Sequence, residues 1–123
     1  MIKSGIDLIR TNRLEEVNPA IRARFIQRVF TPAEQAQVGH DFETLSGIFA
    51  AKEAVSKVLG TGIGKVAWQD IEILHEPSGE PLVHLHGYAK EVAAIKGLIH
   101  WSVSITHDGG LAAAVAVAMG NAL

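Results

Sequence analysis

The chain has 123 residues, 48% of them hydrophobic and 20% charged, and no cysteine. That composition points to one globular domain over residues 1–123; it excludes a disordered chain, a disulfide framework, a thiolate metal site and a cysteine nucleophile. The formal net charge of −2 does not suggest nucleic acid as a partner.

The charge is unevenly placed. Residues 1–30 hold six basic and three acidic side chains, a net +3, whereas residues 31–123 hold five and ten, a net −5. All five arginines, Arg10, Arg13, Arg22, Arg24 and Arg28, fall in the first segment. Their planar forks suit carboxylates and phosphates, so the segment reads either as a docking face for an acidic partner or as a solvated helix surface. Asp7 and Arg10 interrupt any signal-like apolar run at the start, and the longest uncharged stretch, Gly109 to Leu123, is too short to span a bilayer. A cytoplasmic domain with no membrane association is expected.

In chain order, residues 2–9 read as a short buried strand ending near Asp7. Thr11 or Asn12 caps a helix carrying Leu14 and Val17, and another helix follows Pro19, with Ile21, Phe25 and Val29 at helical spacing. Thr31-Pro-Ala-Glu34 is a capping-box pattern with proline at the first helical position. Asp41 to Leu59 is predicted as one long helix, stopped by Gly60. Ile48, Ala51, Val55, Val58 and Leu59 share its core face, and Glu53 and Lys57 share the opposite one. Val66 to Leu74 alternates as a strand, and the turn Pro77-Ser-Gly-Glu-Pro81 leads into a strand over Leu82–His86. Tyr88 to Lys96 is a helix stopped by Gly97. Ile99 to Thr106 is a strand, Asp108-Gly-Gly110 a hairpin turn, and Val115 and Val117, two apart, favour a last strand over Ala112–Met119. The expected fold class is α+β, with helices packed on one face of a mostly antiparallel sheet.

Three features carry possible chemistry. Glu53 and Lys57, one turn apart, precede Gly60-Thr-Gly-Ile-Gly64, a combination able to hold a metal-bound phosphate. The same pair is equally an ordinary surface helix pair with a glycine stop, and no Gly-Lys-Ser/Thr follows to make a P-loop. Asp7 sits in an otherwise apolar strand, where a carboxylate needs a partner, a cation or a turn to cap. His107 follows Ser102-Val-Ser-Ile-Thr106 at a strand end, more often a structural place than a catalytic one. His84 and His86, two apart, lack further zinc-ligand spacing. No serine is framed by a nucleophile elbow.

Taken together and in order, Gly5-Ile-Asp7, Phe49-Ala-Ala-Lys-Glu-Ala54 with Lys57, Gly60-Thr-Gly-Ile63, Trp68-Gln-Asp-Ile-Glu-Ile73 and Ser102-Val-Ser-Ile-Thr-His107 resemble the holo-[acyl-carrier-protein] synthase family. That family is the small bacterial class of 4′-phosphopantetheinyl transferases. The resemblance covers nearly the whole chain and includes Arg24-Phe-x-x-Arg28. It departs at Ile48, where the family often has a basic residue, and at Thr106, where serine is usual.

The resemblance implies a 4′-phosphopantetheinyl transferase-like fold and a reaction of fatty acid biosynthesis. In it, 4′-phosphopantetheine passes from coenzyme A to a serine of apo-acyl carrier protein, leaving adenosine 3′,5′-bisphosphate. Asp7 and Glu53 match the family's Mg²⁺ ligands. Lys57 is placed to neutralise the leaving phosphate, while the base that takes the serine proton stays open between Glu53 and solvent on the metal. Lys57, Gly60, Gly62, Gly64 and Lys65 would adjoin the nucleotide, and Thr106 and His107 its phosphates. Arg13, Arg24 and Arg28 would face the acidic carrier protein. The resemblance also implies a homotrimer with sites between subunits, Asp7, Glu53 and Lys57 coming from one chain and Thr106 and His107 from its neighbour. Two other readings are a coenzyme A- or nucleotide-binding module without turnover, and a small nucleic-acid-binding domain. The complete Asp7, Glu53 and Lys57 set argues against the first; the acidity and the lack of aromatics among the arginines argue against the second.

Overall fold

Local chemistry sets most element ends in the computed structural model, which describes residues 1–121. Strand β1 (Ile2–Arg10) is followed by three short helices, α1 (Asn12–Glu16), α2 (Pro19–Val29) and α3 (Pro32–Val38), and by the long α4 (Phe42–Leu59). Then come β2 (Ile71–His75), β3 (Pro81–Leu85), α5 (Gly87–Ile95), β4 (His100–Asp108) and β5 (Leu111–Met119). Asn18 accepts from the Ala20 amide to open α2, and Asp41 accepts from the Thr44 amide to open α4. The capping box at Thr31 and Glu34 forms in full. Gly60, with φ 78°, takes the left-handed conformation that closes α4.

β1, β5 and β4 form an antiparallel sheet with β5 central, and β2 and β3 form a separate antiparallel hairpin. Helix α4 lies on the inner face of the three-stranded sheet. The inner row of β5 is Ala112, Ala114, Ala116 and Ala118, all buried, and such small side chains let the helix approach closely. Ile48, Ala51, Val55, Val58 and Leu59 are buried as predicted.

Two expectations are corrected. β1 is buried on one face only: Gly5 and Ile9 point inward, while Ile2, Ile6 and Leu8 are 70%, 66% and 62% exposed on the outer face. The predicted strand over Val66–Leu74 begins only at Ile71. An Asp70 carboxylate oxygen accepts from the Ala67 amide at 3.1 Å and closes a 3-10 turn over Trp68–Asp70 before it.

Lys52 and Glu34 form a fully buried ion pair at 2.8 Å. The ammonium also donates to the carbonyls of Val29, Trp68 and Ile71, tying the α2–α3 junction to the start of β2. The other Glu34 oxygen accepts from the Ile73 amide, and the Gln37 amide group both accepts from and donates to the His75 backbone. The edge of β2 away from β3 is therefore paired with side chains from α3 and α4.

Candidate active site

From Leu45 to Leu59, every residue of α4 is buried except Phe49, Glu53 and Lys57. Their spacing of four puts them in one stripe along the helix. β1 runs beside that stripe because residue 5 is glycine: a Cβ there would lie 3.0 Å from Lys57 Cβ and collide with the Ala54 carbonyl oxygen. This close approach brings Asp7, two residues on and on the same face, to α4. The Lys57 ammonium donates to the Ile6 carbonyl at 2.7 Å and pairs with Asp7 at 3.3 Å. Burial raises the Glu53 carboxyl pKa above its ordinary value, the Asp7 charge raises it further, and Lys57 opposes both. Two carboxylates and an ammonium thus converge where β1 crosses α4.

Glu53's raised pKa has a definite sign for stability. The folded chain holds this proton more tightly than the unfolded chain, so the contribution is full below the unfolded carboxylate value and is lost as pH rises through the folded one. At neutral pH the two carboxylates repel. Glu53→Gln is expected to raise the melting temperature in chelator at neutral pH, and the gain should shrink on acidification. Thermal melts at both conditions check this; a gain that grows towards acid pH would refute the coupling of the two groups.

At the C-terminal end of the stripe lies the glycine loop. The amides of Gly60, Thr61 and Gly62 all turn back onto the Ser56 carbonyl. Gly62 (φ 62°) and Gly64 (φ 154°) also take positive φ, which favours glycine, and Lys65 is exposed beside them. At the other end, Phe49 lines an apolar groove of about 190 Å³ with Ile9, Leu14, Ile21 and Phe25, and Arg13 lies at its edge. Phe25, Phe49 and Trp68 form a row with ring centroids 5.6 and 4.8 Å apart, leading from this groove towards the loop. Arg28 borders the loop end, near Gly64 and Trp68, and Arg24 is exposed on α2. Arg22 is engaged within the fold: its guanidinium lies 4.7 Å from the Phe42 ring centroid and donates to the Leu14 and Glu15 carbonyls.

Thr106 and His107 are not part of this convergence within one chain. Thr106 pairs with Ala113 on the outer face of the sheet, the face opposite α4. His107 points inward, and its Nε2 donates to the Glu43 carbonyl at 3.0 Å. Glu43 precedes Glu53 by ten residues of helix, about 15 Å at the helical rise. Gly47 makes room for the ring, since a Cβ there would lie 2.8 Å from His107 Nε2. Ile48 is fully buried, so that position presents no side chain to a phosphate. Sequence reasoning named Gly5 and Phe49 only as parts of motifs. Their places follow from the stripe spacing and from a close approach that only the three-dimensional packing reveals.

Among the described residues no cluster of three or more His, Asp or Glu side chains is grouped to enclose a metal, and no helix is long and apolar enough to cross a membrane.

Residues 3–116 match the family model described as the 4′-phosphopantetheinyl transferase superfamily. The chain is 39% identical to a holo-[acyl-carrier-protein] synthase of Herpetosiphon aurantiacus, over 98% of this chain and 100% of that one. It is 44% identical to the Moorella thermoacetica protein of the same name, over 95% and 93%. Among solved structures, the Helicobacter pylori holo-[acyl-carrier-protein] synthase in complex with coenzyme A matches with a TM-score of 0.84 and 36% identity, covering 97% of this chain and 100% of that one. The Neisseria meningitidis holo-[acyl-carrier-protein] synthase matches with a TM-score of 0.85 and 31% identity, over 97% and 99%.

Proposed function

The chain belongs to the 4′-phosphopantetheinyl transferase superfamily, and from that premise we propose that it transfers 4′-phosphopantetheine from coenzyme A to a serine of apo-acyl carrier protein. The observation that carries this is the convergence of Asp7, Glu53 and Lys57, with the glycine loop at one end of their stripe and the Arg13 groove at the other. Incubation with apo-acyl carrier protein, coenzyme A and Mg²⁺ should add the mass of one phosphopantetheinyl group to the carrier. An unchanged carrier mass, with coenzyme A bound, would favour a binding module instead.

The serine oxygen forms a bond to the β-phosphorus while the bond to the bridging pyrophosphate oxygen breaks. The electron pair leaves with adenosine 3′,5′-bisphosphate. Asp7 and Glu53 suit Mg²⁺: a cation would relieve the repulsion that helps raise Glu53, and Mg²⁺ is commonly held by one or two carboxylates completed by phosphates and water. Bound there, Mg²⁺ supplies neutralising charge for the pyrophosphate. Lys57, held by Asp7 and the Ile6 carbonyl, stabilises charge on the leaving phosphate. The serine proton would pass to Glu53 or to water at the same site. The positive φ of Gly60, Gly62 and Gly64 lets the loop backbone lie close to the nucleotide, beside Lys65. The proposal is of a cytoplasmic enzyme of fatty acid biosynthesis.

The apolar groove with Arg13, and Arg24 and Arg28 on α2, would receive the acidic carrier protein. Arg13→Ala, Arg24→Ala and Arg28→Ala are expected to raise the KM for carrier protein severalfold and to flatten its salt dependence, with the coenzyme A KM unmoved. Steady-state kinetics at two salt concentrations decide it. A shift in the coenzyme A KM for Arg28→Ala would reassign that residue to the nucleotide, beside Gly64.

The reading includes a homotrimer. It is supported by the exposed apolar outer face of the sheet, where Ile2, Ile6 and Leu8 of β1 and Leu111 and Val115 of β5 lie to one side of the β4 row that carries Thr106. A head-to-tail ring would set this face of one protomer against a different surface of the next, so Thr106 on that face and the exposed His107 at the strand end beside it would complete a neighbour's site. Asp7→Ala and His107→Ala trimers should each be impaired, and after verified subunit exchange roughly one site in four should hold both native halves. Activity staying at the parents' average would place both residues in one subunit's site.

A further inference from the structure

Lys96 reaches the glycine loop from outside the motifs that suggested it. The residue follows the last turn of α5 and is held by two backbone bonds: its own amide donates to the Val92 carbonyl, and the Gly97 amide donates to Ala94. Its ammonium donates to the carbonyl of Leu59, the last residue of α4, at 2.5 Å. A Cβ on Gly60 would lie 2.9 Å from the same nitrogen, so the ammonium sits directly over the point where the chain leaves the helix.

The need for such a cation follows from the end of α4. The amides of Gly60, Thr61 and Gly62 converge on the Ser56 carbonyl, and Gly60 also donates to Lys57. The loop amides are thus spent one turn back, and the Leu59 carbonyl relies on Lys96. The C-terminal end of a helix carries partial negative charge, which disfavours an anion nearby. Of the side chains around this end, Lys57 is committed to Asp7 and Ile6, and Lys65 makes no side-chain hydrogen bond or ion pair among the described residues. Among the described residues, Lys96 alone bonds the Leu59 carbonyl through a side chain.

We infer that Lys96 is a positioning residue for nucleotide binding: its ammonium fixes the Leu59 carbonyl, and with it the start of the Gly60–Gly64 loop, and keeps that helix end from repelling an anionic ligand. This rests on the phosphopantetheinyl transferase reading, and the experiment separates the two.

The test compares wild type, Lys96→Met, which keeps the stem and removes the charge, and Lys96→Arg. The coenzyme A KM of Lys96→Met should rise about five- to tenfold, the size of one lost helix-end charge interaction, while kcat and the carrier-protein KM stay within about twofold. Lys96→Arg should recover most of the loss. Calorimetric titration with adenosine 3′,5′-bisphosphate should show the same weakening without turnover. An unchanged coenzyme A KM and bisphosphate affinity in Lys96→Met, or an equal loss in kcat and in both KM values with no rescue by arginine, would overturn the role. If wild type itself neither modifies carrier protein nor binds the bisphosphate, the assigned reaction fails, and the role of Lys96 falls with it.

Discussion

Asp7→Ala and Glu53→Ala are each expected to cut kcat by about a thousandfold or more, which corresponds to roughly 4 kcal/mol on the barrier. The physical reason is charge. A pyrophosphate must be neutralised before a hydroxyl can attack it, and one remaining carboxylate leaves a divalent cation poorly held. Stability should not fall: Lys57 is half exposed and keeps its bond to the Ile6 carbonyl in the Asp7 variant, and the Glu53 variant loses a carboxylate repulsion. Circular dichroism and thermal melts would establish that the fold survives, and single-turnover transfer followed by mass would measure the loss. Excess chelator should reduce wild type to a similar level. Full wild-type activity in chelator would end the metal-based account.

The second large effect concerns stability. Lys52 is wholly buried; desolvation lowers its ammonium pKa, and Glu34 opposes this through charge and a hydrogen bond. Lys52→Met removes one partner of a buried pair and strands the Glu34 charge, a change that costs about 3–5 kcal/mol. The carbonyls of Val29, Trp68 and Ile71 lose a donor at the same time. Because total stabilities are of order 5–15 kcal/mol, Lys52→Met should sit near the edge of folding. Urea denaturation at fixed protein concentration measures it, and Lys52→Met with Glu34→Gln should regain part of the loss by removing the stranded charge. A loss below about 1 kcal/mol would show that water reaches Glu34.

Much of this architecture was readable from residue order. Thr31-Pro-Ala-Glu34 announced its helix start because capping is local chemistry, and the long helix from Asp41 to Gly60 was plain from periodicity and its stop. Lys52 was harder. It was legible only as part of the Phe49–Ala54 motif, yet it stands four residues after Ile48 and three before Val55, on the core side of the helix. Local patterns cannot report that partners from residues 29, 34, 68 and 71 surround it. β1 shows the complementary limit. Ile2, Ile6 and Leu8 look like core residues because apolar alternation does not say which surface will cover them. For the site, Glu53 and Lys57 were legible as a helical pair. Their meeting with Asp7 depends on Gly5 passing against the Ala54 carbonyl, a contact across some fifty residues.

The β2–β3 hairpin has one more consequence, for the protein's behaviour in concentrated solution. An unpaired strand edge is a template on which another chain can add a strand. Here the Ile71 carbonyl, the Ile73 amide and both backbone groups of His75 are taken by Lys52, Glu34 and Gln37. An incoming strand would have to displace a buried ion pair and a bidentate amide before making its first bond. The same side chains that join α3 and α4 to the hairpin therefore guard it against edge-to-edge aggregation, and Gln37→Ala, which opens only the His75 end, is the mildest way to expose that template.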